Sequence, residues 1–297
     1  MQDSTAIPSL DTSPLAAAAL ARARVLYTDI DGTLLGRGAC LIADGEGKPN
    51  LDAVTAAAAL NGLAMPVVIV SGRNARQLRE MTRLLGWPDF IGELGCVRSY
   101  GRGARLVYDT GIWPEGSTLD GETPYEAILR VGGLDALMKA FPGRIENHTP
   151  WHLDREVTHV LRGNVDIEAA QAVLDTLPLP VTIVDNGIIH PPAHGLVGVT
   201  EIHAIHLVPT GTSKQRAVEL DLAERGVAAE DALAIGDSAA DVAMASQVGL
   251  LAVVSNGLAD PVLVERAAGL ANVVATHGSH GSGWAEFARA WMAARAE

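Results

Sequence analysis

Short apolar segments alternate with helical patterns at both ends of the chain, and this alternation restricts the fold more than any other feature. Apolar runs lie at 25–30, 66–72, 89–95, 232–237 and 250–256, and helical patterns lie at 51–64, 74–86, 211–226 and 238–249. Short apolar strands that alternate with helices form parallel sheets with helices on both faces. We therefore predict an α/β fold with a doubly wound parallel sheet.

The pattern changes in the middle of the chain, where Gly, Pro and polar turns separate short strands. Strand patterns occur at 157–165 and 181–186, and helical patterns occur at 124–141 and 166–177. A segment of this texture inside an alternating pattern indicates a second, α+β domain inserted into the first. The predicted divisions are an N-terminal tail with a short alanine-rich helix at 1–24, a core at 25–96 and 205–297, and an insertion at 97–204.

Charge and composition exclude several classes of function. The 297 residues carry a formal net charge of −13, whereas nucleic-acid-binding proteins usually present a basic face. No apolar run approaches the roughly 18–20 residues of a membrane span, and the N-terminus lacks a signal-peptide pattern. Cys40 and Cys96 are too few for a disulfide framework or a thiolate metal site. We therefore expect a cytoplasmic protein without a nucleic-acid or membrane partner.

Two acids follow the first apolar run, in the sequence VLYTDIDGTLL. Alternate residues of a strand share a face, so Asp29 and Asp31 are expected to point the same way at the carboxyl end of a strand, where α/β sheets bind ligands. Gly32 permits a sharp turn, and Thr33 offers a hydroxyl and an N–H. A calcium-binding EF-hand loop is excluded, because its sixth and twelfth positions fall on Leu34 and Cys40. A solvated turn with two incidental acids remains an alternative.

Three more strand ends carry complementary groups. In VVIVSGR, Ser71 and Gly72 precede a helix whose N–H groups suit an anion, although Ser71 also fits a helix N-cap. Lys214 lies in the first turn of a helix, where its positive charge is unfavourable with the helix dipole. A nearby anion would offset this cost, and a lysine that points into solvent is the alternative. Asp237 follows a strand and Asp241 lies one helical turn on, which also fits helix capping. Together, these groups predict a site for a phosphate.

The four segments resemble the motifs of the haloacid dehalogenase superfamily of phosphohydrolases. The motifs are DIDGT at 29–33, Ser71 in VSGR, Lys214 in TSKQ, and GDSAAD at 236–241. The long gap between Ser71 and Lys214 places the insertion after the second motif. That arrangement is similar to the class IIB α/β cap of Cof-type and sucrose-phosphate phosphatases, and it implies a Rossmann-like core with an inserted α+β cap.

The resemblance also implies a role for each residue. Asp29 is the expected nucleophile, which forms an aspartyl-phosphate, and Asp31 is the expected general acid and base. Lys214 is expected to hold phosphoryl oxygens together with Thr33, Ser71 and Gly72. Asp29, Asp237 and the main-chain carbonyl of Asp31 are expected to hold Mg²⁺, with Asp241 in a supporting position. The implied partner is a small phosphorylated metabolite, most plausibly a sugar phosphate.

Two alternatives share these residues. A phosphohexomutase uses the same nucleophile but returns the phosphoryl group to its sugar, so release of free phosphate argues against it. A non-catalytic sugar-phosphate-binding protein is suggested by Ala240, where many relatives have Asn; Leu94 likewise replaces a common Asn after the third strand.

Several residues of the insertion also invite a function. The stretch ENHTPWHLDREVTH carries His148, His152 and His159, but Pro150 breaks the helical spacing. We therefore favour a cap surface or a substrate contact over zinc. Arg73, Arg144 and Arg162 could also contact a polar substrate, and the sequence does not choose among them.

Overall fold

A computed structural model describes residues 7–296 of the chain. Its twelve strands are β1 (Val25–Thr28), β2 (Val67–Val70), β3 (Asp89–Gly92), β4 (Val97–Tyr100), β5 (Arg105–Tyr108), β6 (Ile145–Asn147), β7 (His159–Gly163), β8 (Val181–Ile189), β9 (Ile202–Pro209), β10 (Ala232–Gly236), β11 (Leu250–Val253) and β12 (Val273–Ala275). Its ten α-helices are α1 (Pro14–Arg22), α2 (Asp52–Gly62), α3 (Ala75–Leu85), α4 (Pro124–Arg130), α5 (Gly133–Ala140), α6 (Ile167–Leu174), α7 (Lys214–Arg225), α8 (Ala239–Val242), α9 (Pro261–Ala267) and α10 (His280–Ala296). None of these helices is both long and apolar enough to cross a membrane.

The larger sheet has eight strands in the order β12-β11-β10-β1-β2-β3-β4-β5. The first six are parallel, and β4 and β5 extend the sheet as antiparallel strands. Strand β1 therefore lies between β10 and β2, so that the ends of all three strands are neighbours. The predicted doubly wound α/β fold is confirmed.

Side chains alternate between the two faces of this sheet, and each face has its own core. Leu26 and Ile69 pack on one side, where α10 contributes Trp284. Tyr27 and Val68 pack on the other side, under α7, α8 and α9. Both faces are mainly apolar because helices cover both, which explains why the parallel strands consist mostly of apolar residues.

The smaller sheet is antiparallel, in the order β6-β7-β9-β8. One face of this sheet packs Leu161, Ile205 and Leu207 against α4, α5 and α6. The intervening residues of the same strands, among them Val160 and His206, line a cavity shared with the larger sheet. The smaller sheet thus roofs the carboxyl ends of β1, β2 and β10.

The predicted divisions do not coincide with the two sheets. Strands β4 and β5 fall in the predicted insertion 97–204 but pair with β3 in the larger sheet, and β9 belongs to the smaller sheet as far as Pro209. Helix α1 lies within the predicted tail 1–24, and its residues Ala16 and Leu20 are part of the core. Only the part of the tail before Pro14 precedes this helix, and residues 1–6 lie outside the described residues. We therefore propose that the cap extends from about 110 to 209.

The predicted helix at 124–141 is wrong in one respect, because it forms two helices. Gly132 adopts a positive φ of 80° between α4 and α5, a conformation that an α-helix does not contain. Each of the two helices can therefore pack separately against the smaller sheet.

Candidate active site

The strand ends converge as the sequence predicts. Asp29 follows β1 directly, and its N–H donates to the carbonyl of Ile235 in β10 at 3.0 Å. Ser71 follows β2, and Asp237 follows β10. Because these three strands are adjacent, their polar residues share one edge of the sheet.

Lys214 connects two of the predicted acids. Its Nζ donates to Asp29 Oδ1 and to Asp241 Oδ1, each at 2.7 Å, and all three side chains are buried. Burial would lower the pKa of Lys214, but the charges of Asp241 and Asp29 outweigh it and hold that pKa above its usual value. Burial and the charges of Asp241 and Asp237 raise the pKa of Asp29 despite the attraction of Lys214. A lysine in the first turn of α7 is therefore explained by the carboxylates that it faces, and the solvent-facing alternative is wrong.

Asp241 serves as both a helix cap and a lysine partner. Its Oδ2 accepts from Ser238 N at 3.0 Å and from Ser238 Oγ at 2.6 Å, so that it closes the first turn of α8. Its Oδ1 accepts from Lys214. The capping alternative and the supporting role predicted for Asp241 are therefore compatible.

Asp237 lies beside the turn that follows Asp31. Thr33 Oγ1 donates to Asp237 Oδ1 at 2.9 Å, and Thr33 N donates to the carbonyl of Ile30 at 3.3 Å. Both groups that Thr33 offers are thus bonded within the protein, so its phosphate-binding role stays a prediction. Burial, and after it the charge of Asp241, raises the pKa of Asp237 to about 7.

Gly32 permits this approach for two reasons. Its φ is +89°, which L-residues rarely adopt, and a Cβ at this position would collide with Asp237 Oδ2. The glycine of the DIDGT motif is therefore required both by the turn and by the neighbouring carboxylate.

Carboxylate oxygens of Asp29, Asp237 and Asp241 lie within 4.8 Å of one another. Three acids at this spacing form the hard, oxygen-only donor set that Mg²⁺ prefers. In residues 7–296, no group of three metal-ligating side chains includes a histidine. His159 instead stacks on Tyr125 and bonds its carbonyl at 2.9 Å.

Asp31 points to a different partner from Asp29. Arg73 donates to the Asp31 carboxylate through Nε at 2.8 Å and through Nη2 at 2.6 Å. The two residues form a bidentate ion pair at the mouth of the cavity. The Asp31 side chain is 48% exposed. The two acids of the motif thus differ in environment, one buried against a lysine and the other reachable from solvent.

The loop of Ser71, Gly72 and Arg73 is tied by all three of its carbonyls. Leu94 N donates to Ser71 O at 3.1 Å and Glu93 N donates to Arg73 O at 2.9 Å. Between them, Arg155 Nη2 donates to Gly72 O at 2.7 Å. Asn74, not Ser71, caps α3, so the N-cap alternative for Ser71 is wrong.

Sequence reasoning missed Glu93 and Arg155. Glu93 is completely buried and accepts from the main-chain N–H groups of 156, 157 and 158 at 2.8, 3.2 and 2.8 Å. Arg155 is buried above the same carboxylate and also donates to Thr158 Oγ1 at 2.9 Å. The available signal was an acid inside the apolar segment DFIGELG.

Side chains of Thr28 and Trp284 fix the main chain at Asp29. Thr28 Oγ1 donates to the carbonyl of Asp29 at 2.7 Å and accepts from Trp284 Nε1 at 2.9 Å. Helix α10 therefore supports the end of β1.

A cavity of about 650 Å³ lies above these groups. Its floor includes Asp29, Ser71, Lys214 and Asp237, and its roof includes His148, Trp151, Asn186, Ile189, Ala204 and His206. Its volume falls in the range of roughly 300–1,000 Å³ typical of sites for small organic ligands.

Comparison with known proteins agrees with this geometry. A family model described as haloacid dehalogenase-like hydrolase matches residues 196–278, which contain Lys214, Asp237 and Asp241. Over this segment the chain is similar to haloacid dehalogenase-like hydrolases.

Relatives of the chain are named as phosphatases. A phosphoglycolate phosphatase of Methanosarcina mazei is 28% identical over 89% of this chain and 94% of that protein. One from Aeropyrum pernix is 26% identical over 76% and 78% of the two chains. The sucrose-phosphatase of Synechocystis sp. PCC6803 shares the fold with a TM-score of 0.57 and 14% identity, over 90% of this chain and 97% of that one. The chain is accordingly similar in sequence to proteins named phosphatases and similar in fold to a sucrose-phosphatase.

Proposed function

We propose that this chain is a Mg²⁺-dependent phosphatase that hydrolyses a small phosphorylated metabolite, a sugar phosphate, through an aspartyl-phosphate on Asp29. The observation that carries the proposal is the buried contact of Lys214 with Asp29 and Asp241 at the floor of the cavity. The positive charge of the buried lysine offsets the negative charges of the two acids beside it. It can also attract the negatively charged oxygens of a phosphoryl group.

Asp29 begins the reaction. A carboxylate oxygen of Asp29 bonds to phosphorus while the bond from phosphorus to the alcohol oxygen breaks. Lys214 and the N–H groups of the 71–73 loop hold the phosphoryl oxygens during this transfer. Because all three carbonyls of that loop are already bonded, its N–H groups are fixed in one orientation.

Asp31 moves the protons. It donates a proton to the leaving alkoxide, and in the second half it takes a proton from the water that attacks the aspartyl-phosphate. The Asp31 side chain is exposed at the cavity mouth, where it can reach both the leaving alcohol and water. Arg73 holds both of its oxygens in this structure, so proton transfer requires that ion pair to open.

The residues that would hold Mg²⁺ are Asp29, Asp237 and the main-chain carbonyl of Asp31. Bound there, Mg²⁺ supplies positive charge that offsets the crowded carboxylates and the phosphate oxygens. Asp241 already uses both oxygens on Ser238 and Lys214, and it supports the lysine.

A second candidate substrate is phosphoglycolate, which the names of the curated relatives favour. Arg73 lines the cavity and could pair with the carboxylate of phosphoglycolate, but it is paired with Asp31.

Release of inorganic phosphate from a panel of monophosphates, with Mg²⁺ and with EDTA, tests the proposed function. We expect turnover with Mg²⁺, loss of turnover with EDTA, and no turnover in Asp29→Asn. Asp120→Asn, which changes an exposed acid of the cap, is the matched control and should retain full activity. A correctly folded Asp29→Asn variant that releases phosphate at the normal rate would disprove the proposal.

A further inference from the structure

Two histidines of the cap face the cavity with buried nitrogens that nothing satisfies. His206 is 4% exposed and lies on the cavity face of β9, between Ile205 and Leu207, which point into the cap core. Its Nδ1 and that of His148 are buried and have no hydrogen-bond partner among the described residues. Buried polar groups in folded proteins are usually paired, so the unpaired Nδ1 of each ring leaves Nε2 as the nitrogen that can bond a group in the cavity.

The ring of His206 lies close to the proposed phosphate-binding loop. A Cβ placed on Gly72 would be 3.7 Å from Cε1 of His206, and it would also contact Leu94. His206 is thus positioned directly above the loop, on the side to which the leaving group of a phosphate monoester would extend. His148 lines the same cavity from the segment after β6.

These imidazoles are neutral. Burial, and after it the charges of Arg155, His148 and Lys214, holds the pKa of His206 well below its usual value. Burial and the charges of Arg162 and Arg155 lower the pKa of His148 to about 4. A shielded Nδ1 without an acceptor is best left unprotonated, so the proton is expected on Nε2, which makes each ring a donor.

The cations that line the cavity are already engaged. Arg73 is bound to Asp31, Arg155 to Gly72 and Thr158, and Lys214 to Asp29 and Asp241. A carboxylate buried under the roof would therefore compete with Asp31 for Arg73 or lack a counter-charge, and a buried unpaired charge is costly. A hydroxyl oxygen accepts a hydrogen bond from the Nε2–H of such a ring and brings no charge that needs a buried counter-ion.

We propose that His206 and His148 form the specificity subsite of this phosphatase and bind hydroxyl groups of a neutral, polyhydroxylated leaving group, in preference to a carboxylate. The inference rests on the proposed function, because it assumes that the phosphoryl group lies at Asp29. Neither histidine takes part in bond breaking; both touch the alcohol that leaves.

Steady-state kinetics with three kinds of substrate tests the subsite. The probes are polyol phosphates (glucose 6-phosphate, fructose 6-phosphate and glycerol 3-phosphate), phosphoglycolate, and p-nitrophenyl phosphate, whose leaving group carries no alcohol hydroxyl. We expect kcat/KM for at least one polyol phosphate to exceed that for phosphoglycolate by tenfold or more. In His206→Leu and His148→Leu, the ratio of kcat/KM for that substrate to kcat/KM for p-nitrophenyl phosphate should fall by about ten- to a hundredfold, mainly through KM.

His203→Leu is the matched control, because His203 lies on the same strand but pairs with Glu201 away from the cavity. It should leave the ratio unchanged. His206→Asn, which keeps a side-chain N–H, should recover part of the ratio and covers the case in which the leucine variant does not fold.

The outcomes separate this inference from the proposed function. Hydrolysis of p-nitrophenyl phosphate together with a preference for phosphoglycolate, or an unchanged ratio in both leucine variants, overturns the subsite and leaves the phosphatase intact. Absence of hydrolysis of every probe with Mg²⁺ overturns the proposed function itself.

Discussion

Arg155 donates a hydrogen bond to the carbonyl oxygen of Gly72 at 2.7 Å, and this contact joins the cap to the 71–73 loop, the proposed phosphate-binding loop of the core. Around it, Glu93 of the core accepts three main-chain N–H groups of the cap segment 156–158. The cap is therefore fixed to the core by buried polar bonds, in addition to the two chain connections between them.

Removing Arg155 should loosen the phosphate-binding loop and destabilise the protein. We expect Arg155→Ala to lower the free energy of unfolding by about 3 kcal/mol, because it leaves Glu93 buried without its cation and Gly72 O without a donor. Urea denaturation measures this loss, and KM for any substrate should rise. Arg76→Ala removes an ion pair across the same interface whose arginine is 77% exposed, and should cost less than about 1 kcal/mol. Equal losses in the two variants would contradict the prediction.

Lys214 should be essential for turnover. In Lys214→Met, the carboxylates of Asp29 and Asp241 face each other without a cation, and kcat should fall by about 10³-fold. Lys139→Met, at an exposed lysine of α5, provides the control for the loss of one positive charge. The prediction is wrong if the two variants show similar kcat values.

Mg²⁺ should stabilise the folded protein. Binding to the folded state alone adds about 2.7 kcal/mol at a concentration one hundred times Kd, so the melting temperature should rise with added Mg²⁺. Asp237→Asn should largely abolish this rise, whereas Asp120→Asn should preserve it. Differential scanning calorimetry gives the measurement without reference to activity, and an unchanged rise in Asp237→Asn would count against Asp237 as a ligand.

Gly32→Ala should abolish activity through Asp237. The new Cβ collides with the Asp237 carboxylate, and φ of +89° adds strain of about 1 kcal/mol. Gly187→Ala is matched, because Gly187 has a φ of +93° but no atom within 4 Å of its Cβ position. Both variants should lose similar backbone stability, and Gly32→Ala alone should lose turnover. Comparable kcat/KM values for the two would show that the collision does not matter.

Acid should destabilise the cap through His159. Burial lowers the pKa of His159 to about 4, against about 6.5 when unfolded, so between these values only the unfolded state binds the proton. Stability therefore rises with pH from about 4 to 6.5, by up to about 1.4 kcal/mol per pH unit for each such histidine. His159→Gln should reduce this slope in urea denaturation measured at several pH values, whereas His190→Gln, in a cap turn, should retain it. Identical slopes would exclude His159 as the cause.

Local patterns predicted the elements that carry the reaction. The apolar runs before Asp29, Ser71 and Asp237 form adjacent strands, because a parallel sheet brings the carboxyl ends of its strands together regardless of their separation in the chain. Lys214 reaches Asp29 from the first turn of α7, which follows β9 of the smaller sheet, so its approach does not follow from that geometry.

Contacts that depend on tertiary placement were not predictable from local patterns. The hairpin of β4 and β5 is rich in glycine, like the rest of the predicted insertion. It nevertheless pairs with β3, because the hydrogen-bonding edge of β3 is available to it. Glu93 and Arg155 lie 62 residues apart, and only the docking of the cap explains why either charge is buried. The orientation of His206 required the register of β9.

The bonds that complete the site also impose an order on its appearance during synthesis. Asp29 emerges early, but its lysine partner follows 185 residues later, and Trp284 follows Thr28 by 256 residues. A nascent chain on the ribosome thus carries Asp29 long before it carries the lysine that contacts Asp29 and the indole that contacts Thr28. The proposed site can therefore be complete only after the segment that contains Trp284 has been made and folded.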